Sequence, residues 1–245
     1  MKMIVNILFL LVFSMISLSA NSHTSEVNTK NFKIKKQSVE KLKSFAAPLS
    51  TFGLSGENKQ ENYWEARRRQ LPKQYGKADV DIMDKGKKGW VVLNRKRHTI
   101  VYLNEQKELF WTIDFDDIVR EKQYIIDDIR YEDNILYFNA ACLSYAKEQK
   151  GKCSTLYAYD TKQKTLLWHS KYLTSRNIFI VTEQLLITGY GFTAEPDYLT
   201  VFRKKDGKVL KKIKLDSALD YLEIKDNRLH VITYNKHYIF SLNHL

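Results

Sequence analysis

Ala158-Tyr-Asp-Thr-Lys-Gln-Lys-Thr-Leu-Leu-Trp168 decides the fold, because the chain carries the same pattern three times. Val101-Tyr-Leu-Asn-Glu-Gln-Lys-Glu-Leu-Phe-Trp111 comes before it and Val201-Phe-Arg-Lys-Lys-Asp-Gly-Lys-Val-Leu-Lys211 after it. Each begins as an alternating apolar strand, enters a polar turn and leaves as a second apolar strand. The unit is therefore a β-hairpin, which cannot bury its apolar face alone and must stack on its neighbours.

Working outward, the chain from Ala78 parses into four copies of a strand-turn-strand-loop-strand-turn-strand unit, each about 45 residues long. The first copy has strands at 78–83, 90–93, 99–103 and 109–113, the second at 125–131, 135–140, 155–160 and 165–169. The third has 178–181, 185–190, 198–203 and 209–215; the fourth offers 221–224, 229–234 and 238–242, and then the chain ends. Turn signals at Asp84-Lys-Gly86, Glu132-Asp-Asn134, Lys205-Asp-Gly207 and Asp226-Asn227 fall between the apolar runs, where αL-tolerant residues are needed. The fold class expected is all-β: a small β-propeller, or an open array of four-stranded antiparallel blades, with an N-terminal arm and one short helix. The fourth copy lacks its outermost strand. A segment near Phe32 to Lys36 is expected to supply it beside Tyr238 to Leu242; an open array completed by strand addition is the alternative.

The second copy resembles the repeat of the pyrroloquinoline-quinone-type β-propellers, whose consensus runs Ala-x-Asp-x-x-Thr-Gly-x-x-x-Trp. Ala158, Asp160 and Trp168 match it, while Gln163 and Lys164 stand where the consensus has Thr-Gly; the third copy keeps the Gly as Gly207 and has Lys211 for the Trp, and the first keeps Trp111. The resemblance covers about Ala78 to Leu242 and implies that Trp111 and Trp168 dock one blade on the next. The family's catalytic members are much longer, and their calcium and quinone ligands have no counterpart here, so no cofactor is expected.

Residues 1–20 read as a secretory signal peptide: Lys2, an apolar run from Ile4 to Ile16, then Ser17-Leu-Ser-Ala20 with small residues for cleavage. The product is expected in the periplasm or outside the cell. In that oxidising setting Cys142 and Cys153, each attached to a strand and flanking the polar loop Leu143 to Lys152, are expected to form a disulfide.

Charge is uneven. The net of +12 lies almost wholly between Lys30 and Arg97, with 18 Lys plus Arg against 7 Asp plus Glu; from His98 onward the tally is 21 against 20. Residues 21–77 read as a basic polar arm with a helix near 61–71, where two Glu precede Arg67, Arg68 and Arg69 and Pro72 ends the run. Trp64, Arg68 and Leu71 share one helix face, so the helix is expected to lay Trp64 and Leu71 on the body as structural support and show the arginine to solvent; the alternative is that Arg67, Arg68 and Arg69 dock the carboxylates or phosphates of an anionic partner. Outside the cytoplasm nucleic acid is not an expected partner; a protein or an anionic envelope component is, with electrostatic contact to a membrane surface.

Catalytic signatures are missing. Gly53-Leu-Ser-Gly56 is one residue short of a nucleophile elbow, and there is no His-Glu-x-x-His, phosphate loop or dinucleotide fingerprint. The acidic groups Asp114, Asp116 and Asp117, and Asp127 with Asp128, lack a glycine-kinked calcium loop and read as solvated strand ends. The expected function is a noncatalytic binding protein, in a narrower form an inhibitor or immunity protein for an enzyme of the same compartment; a hydrolase or lyase with its site on blade loops is the rival.

Overall fold

A computed structural model describes residues 32–42, 80–86, 89–94, 98–192 and 194–242, of which 80–86 are described as backbone only. The proposed signal peptide, Trp64, Arg67, Arg68, Arg69 and the expected helix at 61–71 lie outside the described residues.

Among the described residues sixteen strands form four antiparallel sheets of four. Blade 1 is β2 (Val80–Gly86), β3 (Gly89–Asn94), β4 (Thr99–Asn104) and β5 (Leu109–Asp114). Blade 2 is β6 (Ile125–Glu132), β7 (Ile135–Ala141), β8 (Thr155–Asp160) and β9 (Thr165–His169). Blade 3 is β10 (Arg176–Val181), β11 (Leu185–Tyr190), β12 (Tyr198–Arg203) and β13 (Val209–Lys214). Blade 4 is β14 (Leu219–Lys225), β15 (Arg228–Thr233) and β16 (Lys236–Leu242), completed on its outer side by β1 (Ile34–Lys41). The described residues form a β-propeller-like array whose first and last strands share one sheet. β1 pairs with β16 from Ile34 opposite Leu242 to Lys41 opposite Lys236, the strand addition expected from the sequence, extended to Lys41.

The repeat extends to the bulges. In each of blades 1 to 3 the outermost strand carries one extra residue against its neighbour: Phe110, Leu167 and Leu210, at the same place in the repeated hairpin. β1 carries the same irregularity between Lys36 and Ser38, so a strand from the far end of the sequence reproduces the local geometry of its three counterparts.

The middle strands explain the apolar runs. β7 is buried from Leu136 to Ala141, and its alternate side chains serve different neighbours: Leu136, Phe138 and Ala140 pack toward blade 1, Tyr137 toward blade 3. A strand with a neighbour on each face needs no polar alternation. Three cores result, one per junction. Val91, Leu93 and Ile100 meet Ile129 and Phe138 between blades 1 and 2. Leu156 and Ala158 meet Phe179 and Phe202 between blades 2 and 3. Ile187, with Leu199 and Val201, turns the other way to meet Val231, Tyr238 and Phe240 of blade 4. Each fully buried side chain of this size stabilises by about 1.5–3 kcal/mol. The inner strands adjoin in the order β2, β6, β10, β14, and among the described residues β14 makes no comparable packing with β2.

Three expectations are corrected. Asp84 to Gly86 is strand, not turn, and Gly86 pairs with Gly89. β10 starts at Arg176 rather than Ile178, because Asn177 takes a positive φ of 57° and breaks the apolar pattern without ending the strand. β14 starts at Leu219 rather than Tyr221, with an irregularity between those two residues.

Candidate interaction face

Antiparallel order places the connections on two unlike faces. On one, Asp133-Asn134 and Asp226-Asn227 make two-residue turns with positive φ at both positions (51° and 65°, 50° and 57°), the primed hairpin type. The other face carries the long connections: 115–124, 142–154, 170–175 and 191–197.

The most built of these is the loop between β7 and β8. Cys142 and Cys153 are disulfide-bonded, with Cα atoms 5.0 Å apart. Inside the bridge the chain turns back on itself, Gly151 N–H donating to the Ala146 carbonyl at 2.7 Å. The loop, polar in sequence, still has an apolar anchor, since Ala146 is buried against both cysteines and Leu173. The loop is then held to its neighbours. Ala146 N–H donates to Glu195 Oε1 at 2.8 Å, Tyr190 donates its hydroxyl to the other oxygen of Glu195, and Gln149 donates to the Gln123 carbonyl at 2.8 Å. Burial and Glu195 push the Tyr190 phenol up, so it stays protonated as donor. The Tyr145 ring meets Phe192 edge-on at 4.6 Å, and the Arg176 guanidinium lies over Phe192 at 4.1 Å. The loop so held leaves Leu143 (51% exposed) and Tyr145 (41%) in solvent, and the β9–β10 and β15–β16 connections of the same face expose Tyr172 (42%) and Tyr234 (70%).

Beneath the face a polar relay joins the inner strands. Asp128 accepts from the Phe179 and Ile129 amides (3.1 and 3.0 Å) and from Arg130, while Asp127 accepts from the Asn177 amide at 2.9 Å. Asn139, fully buried, donates to the Asn177 carbonyl at 2.6 Å, and Asn177 donates to the Leu219 carbonyl of blade 4 at 3.2 Å. Burial outweighs Arg130 and raises Asp128 to about 6. Thus Asp127 and Asp128 are acceptors between blades 2 and 3 rather than solvated strand ends. Next to them the inner strands enclose a pocket of about 260 Å³, lined by Arg130, Ile178, Ile180 and Leu222 among others. Arg130 is turned onto Asp128 and the Ile129 carbonyl, so the pocket presents little uncompensated charge.

The expected docking tryptophans sit at blade junctions. Trp111 stacks on Tyr102 of its own blade at 5.3 Å and meets Tyr131 of blade 2 edge-on at 5.4 Å. Trp168 donates its indole N–H to the Lys204 carbonyl of blade 3 at 3.1 Å and lies against Gly207.

The remaining acidic and His groups serve the connections. His98 Nδ1 lies 3.2 Å from Asp116, whose carboxyl is held below its usual range by the Tyr124 hydroxyl at 2.6 Å and by His98. Among the described residues no Ser, Thr or Cys bonds to His98. Glu121 is buried and accepts from Thr155 and Tyr157, both at 2.5 Å, which ties connection 115–124 to β8. Among the described residues no three His, Cys, Asp or Glu side chains are placed to share a metal.

Sequence reading missed Tyr145, Tyr172, Arg176, Phe192, Glu195 and Tyr234. The available signal was aromatic residues inside polar connections between strands, which a packed core does not require.

No family model matches the chain, and no curated protein matches it. Solved structures do. The WD40 β-propeller domain of Doa1 aligns with a TM-score of 0.42 and 12% identity, covering 68% of this chain and 51% of that one. BBS1N in complex with ARL6DN gives 0.45 and 12%, covering 67% and 47%. A chain of the Mitotic Checkpoint Complex gives 0.47 and 6%, covering 66% and 49%. The chain thus spans about half the length of each.

Proposed function

We propose that the chain is a noncatalytic protein-binding module that contacts its partner through the long-connection face. The observation that carries this reading is the disulfide-closed loop 142–153, clamped onto blade 3 through Glu195 and Phe192 while holding Tyr145 and Leu143 out to solvent. Rigid Tyr and Arg side chains are the types that dominate binding energy at protein interfaces, and prior ordering lowers the cost of association. The contact residues are Leu143, Tyr145 and Tyr172, with Tyr234 at the margin. The basic arm, with Trp64, Arg67, Arg68 and Arg69, is a second contact toward an anionic envelope component.

The compartment is the periplasm or the cell exterior. The charged-then-apolar start of the sequence and a disulfide both suit an oxidising location. The repeat is of the pyrroloquinoline-quinone type. In support, the position where that consensus has Gly is left-handed in all three hairpins, at Lys107 (φ 64°), Lys164 (55°) and Gly207 (66°), although Gly occupies only one. Trp111 and Trp168 are the docking residues.

Pull-down from envelope extract tests the reading. The wild type recovers a stoichiometric protein, and Tyr145→Ala with Tyr172→Ala loses it; equal recovery by the double variant overturns the assignment. An enzyme inhibited on capture identifies the narrower inhibitor or immunity role. A turnover abolished by His98→Ala replaces binding with catalysis.

A further inference from the structure

The outermost strands of the four blades differ in charge. On β5 the exposed residues are Leu109, Phe110, Thr112 and Asp114, and on β9 they are Thr165, Leu167 and His169. On β13 they include Lys211, Lys212 and Lys214, and on β1 Lys35, Lys36 and Lys41 against a single Glu40. These two basic strands are the outer strands of adjoining blades 4 and 3, and Ile34 of β1 and Leu210 and Ile213 of β13 pack against the same core cluster. Among the described residues none of the six lysines is in an ion pair, whereas Lys204 and Lys236 pair with Glu132 and Asp216. Lys36 stands close enough to lower the Asp216 carboxyl, and Lys212 lies over the Tyr198 ring at 3.9 Å. Val39 (39% exposed) and Val209 (45%) sit in the same two strands.

The residue types select the partner. Protein interfaces enrich Arg and aromatic residues and deplete Lys, yet these two strands hold six lysines, no Arg and no aromatic residue. Single-stranded nucleic acid asks for stacking platforms, which neither strand supplies. Lysine is a point charge on a flexible apolar stem. It is suited to a diffuse anionic plane, where each contributes additively without fixed geometry and small apolar side chains reach the headgroup boundary.

We propose that the basic outer strands β1 and β13 of adjoining blades form a contact surface for an anionic lipid bilayer. It lies on a different part of the molecule from the loop face, so either assignment can fail alone. The test is co-sedimentation of the full chain with phosphatidylglycerol-containing or pure phosphatidylcholine vesicles, at low and high salt. The wild type binds the anionic vesicles, and only at low salt. The combination Lys35→Gln, Lys36→Gln, Lys211→Gln and Lys214→Gln lowers that binding by about 30-fold or more, while Lys122→Gln, Lys147→Gln, Lys150→Gln and Lys171→Gln, equal in charge, lowers it less than about threefold. Equal loss in both sets, no loss in either, or equal binding to neutral vesicles overturns the proposal, as does binding to duplex DNA in place of vesicles. Should the combination not fold, Lys35→Gln with Lys211→Gln reads the same surface, with about fivefold or greater loss expected and none contradicting it.

Discussion

Replacing Gly207 with Ala isolates what the repeat requires at its turn. Gly207 sits at φ 66°, and a Cβ there would lie 2.5 Å from Cε3 of Trp168. An L-residue in this conformation costs about 1–2 kcal/mol. Overpacking against the ring adds about 1–3 kcal/mol, and moving the ring away would break its 3.1 Å bond to the Lys204 carbonyl. The expected destabilisation is therefore about 2–5 kcal/mol. Lys164 occupies the same repeat position at φ 55°, but there a side chain is already accommodated. Lys164→Gly relieves the left-handed cost while enlarging the unfolded ensemble, for a net gain of about 0–1 kcal/mol. Urea unfolding followed by far-UV circular dichroism measures both. Opposite signs are expected; a Gly207→Ala cost of only about 1 kcal/mol, no more than the left-handed conformation accounts for, would refute the docking of Trp168 on this turn.

Other outcomes follow from the same structure. Trp168→Phe should cost about 1 kcal/mol more than Trp111→Phe in denaturant melts, because the Trp111 indole N–H is buried without an acceptor among the described residues and nothing is lost with it. Removing the disulfide with Cys142→Ser and Cys153→Ser, which frees a loop of sequence separation 11, should cost about 2–3 kcal/mol and weaken partner capture at the loop face. His230 Nδ1 and His237 Nε2 lie 3.0 Å apart, and burial, then His230, lowers the His237 pKa against the pull of Glu40. A lowered folded value means the fold favours the neutral ring. This contribution is complete above the ordinary value of 6.5 and is lost as pH falls below it through the depressed value. His237→Gln should flatten that part of the urea-midpoint profile, and an unchanged slope would contradict the assignment.

How much was legible depended on whether signal was local. Thr155–Asp160, Leu185–Tyr190 and Tyr198–Arg203 were read to the residue, because each is a β-branched or aromatic run between polar turns. β1 was legible only as Phe32 to Lys36; its later residues are mostly exposed and are held by backbone pairing to β16, which leaves no apolar alternation to read. The candidate face was less legible still. Glu195 reaches Ala146 across 49 residues and Asp128 reaches Phe179 across 51, and no periodicity encodes a hydrogen bond between blades. The cysteine pair pointed to the right loop, but not to the blade 3 side chains that hold it.

Completion of blade 4 by the N-terminal strand carries the whole architecture, and one cross-link tests it. Lys35 pairs with Ser241, whose hydroxyl donates to the Lys35 carbonyl at 3.4 Å, and directly opposed residues of antiparallel strands are within disulfide reach. In Lys35→Cys with Ser241→Cys, mass spectrometry of the oxidised, digested protein should find those two positions joined within one chain in nearly all molecules. Little intrachain product, or joining only between two chains, would show that the ends do not share a sheet.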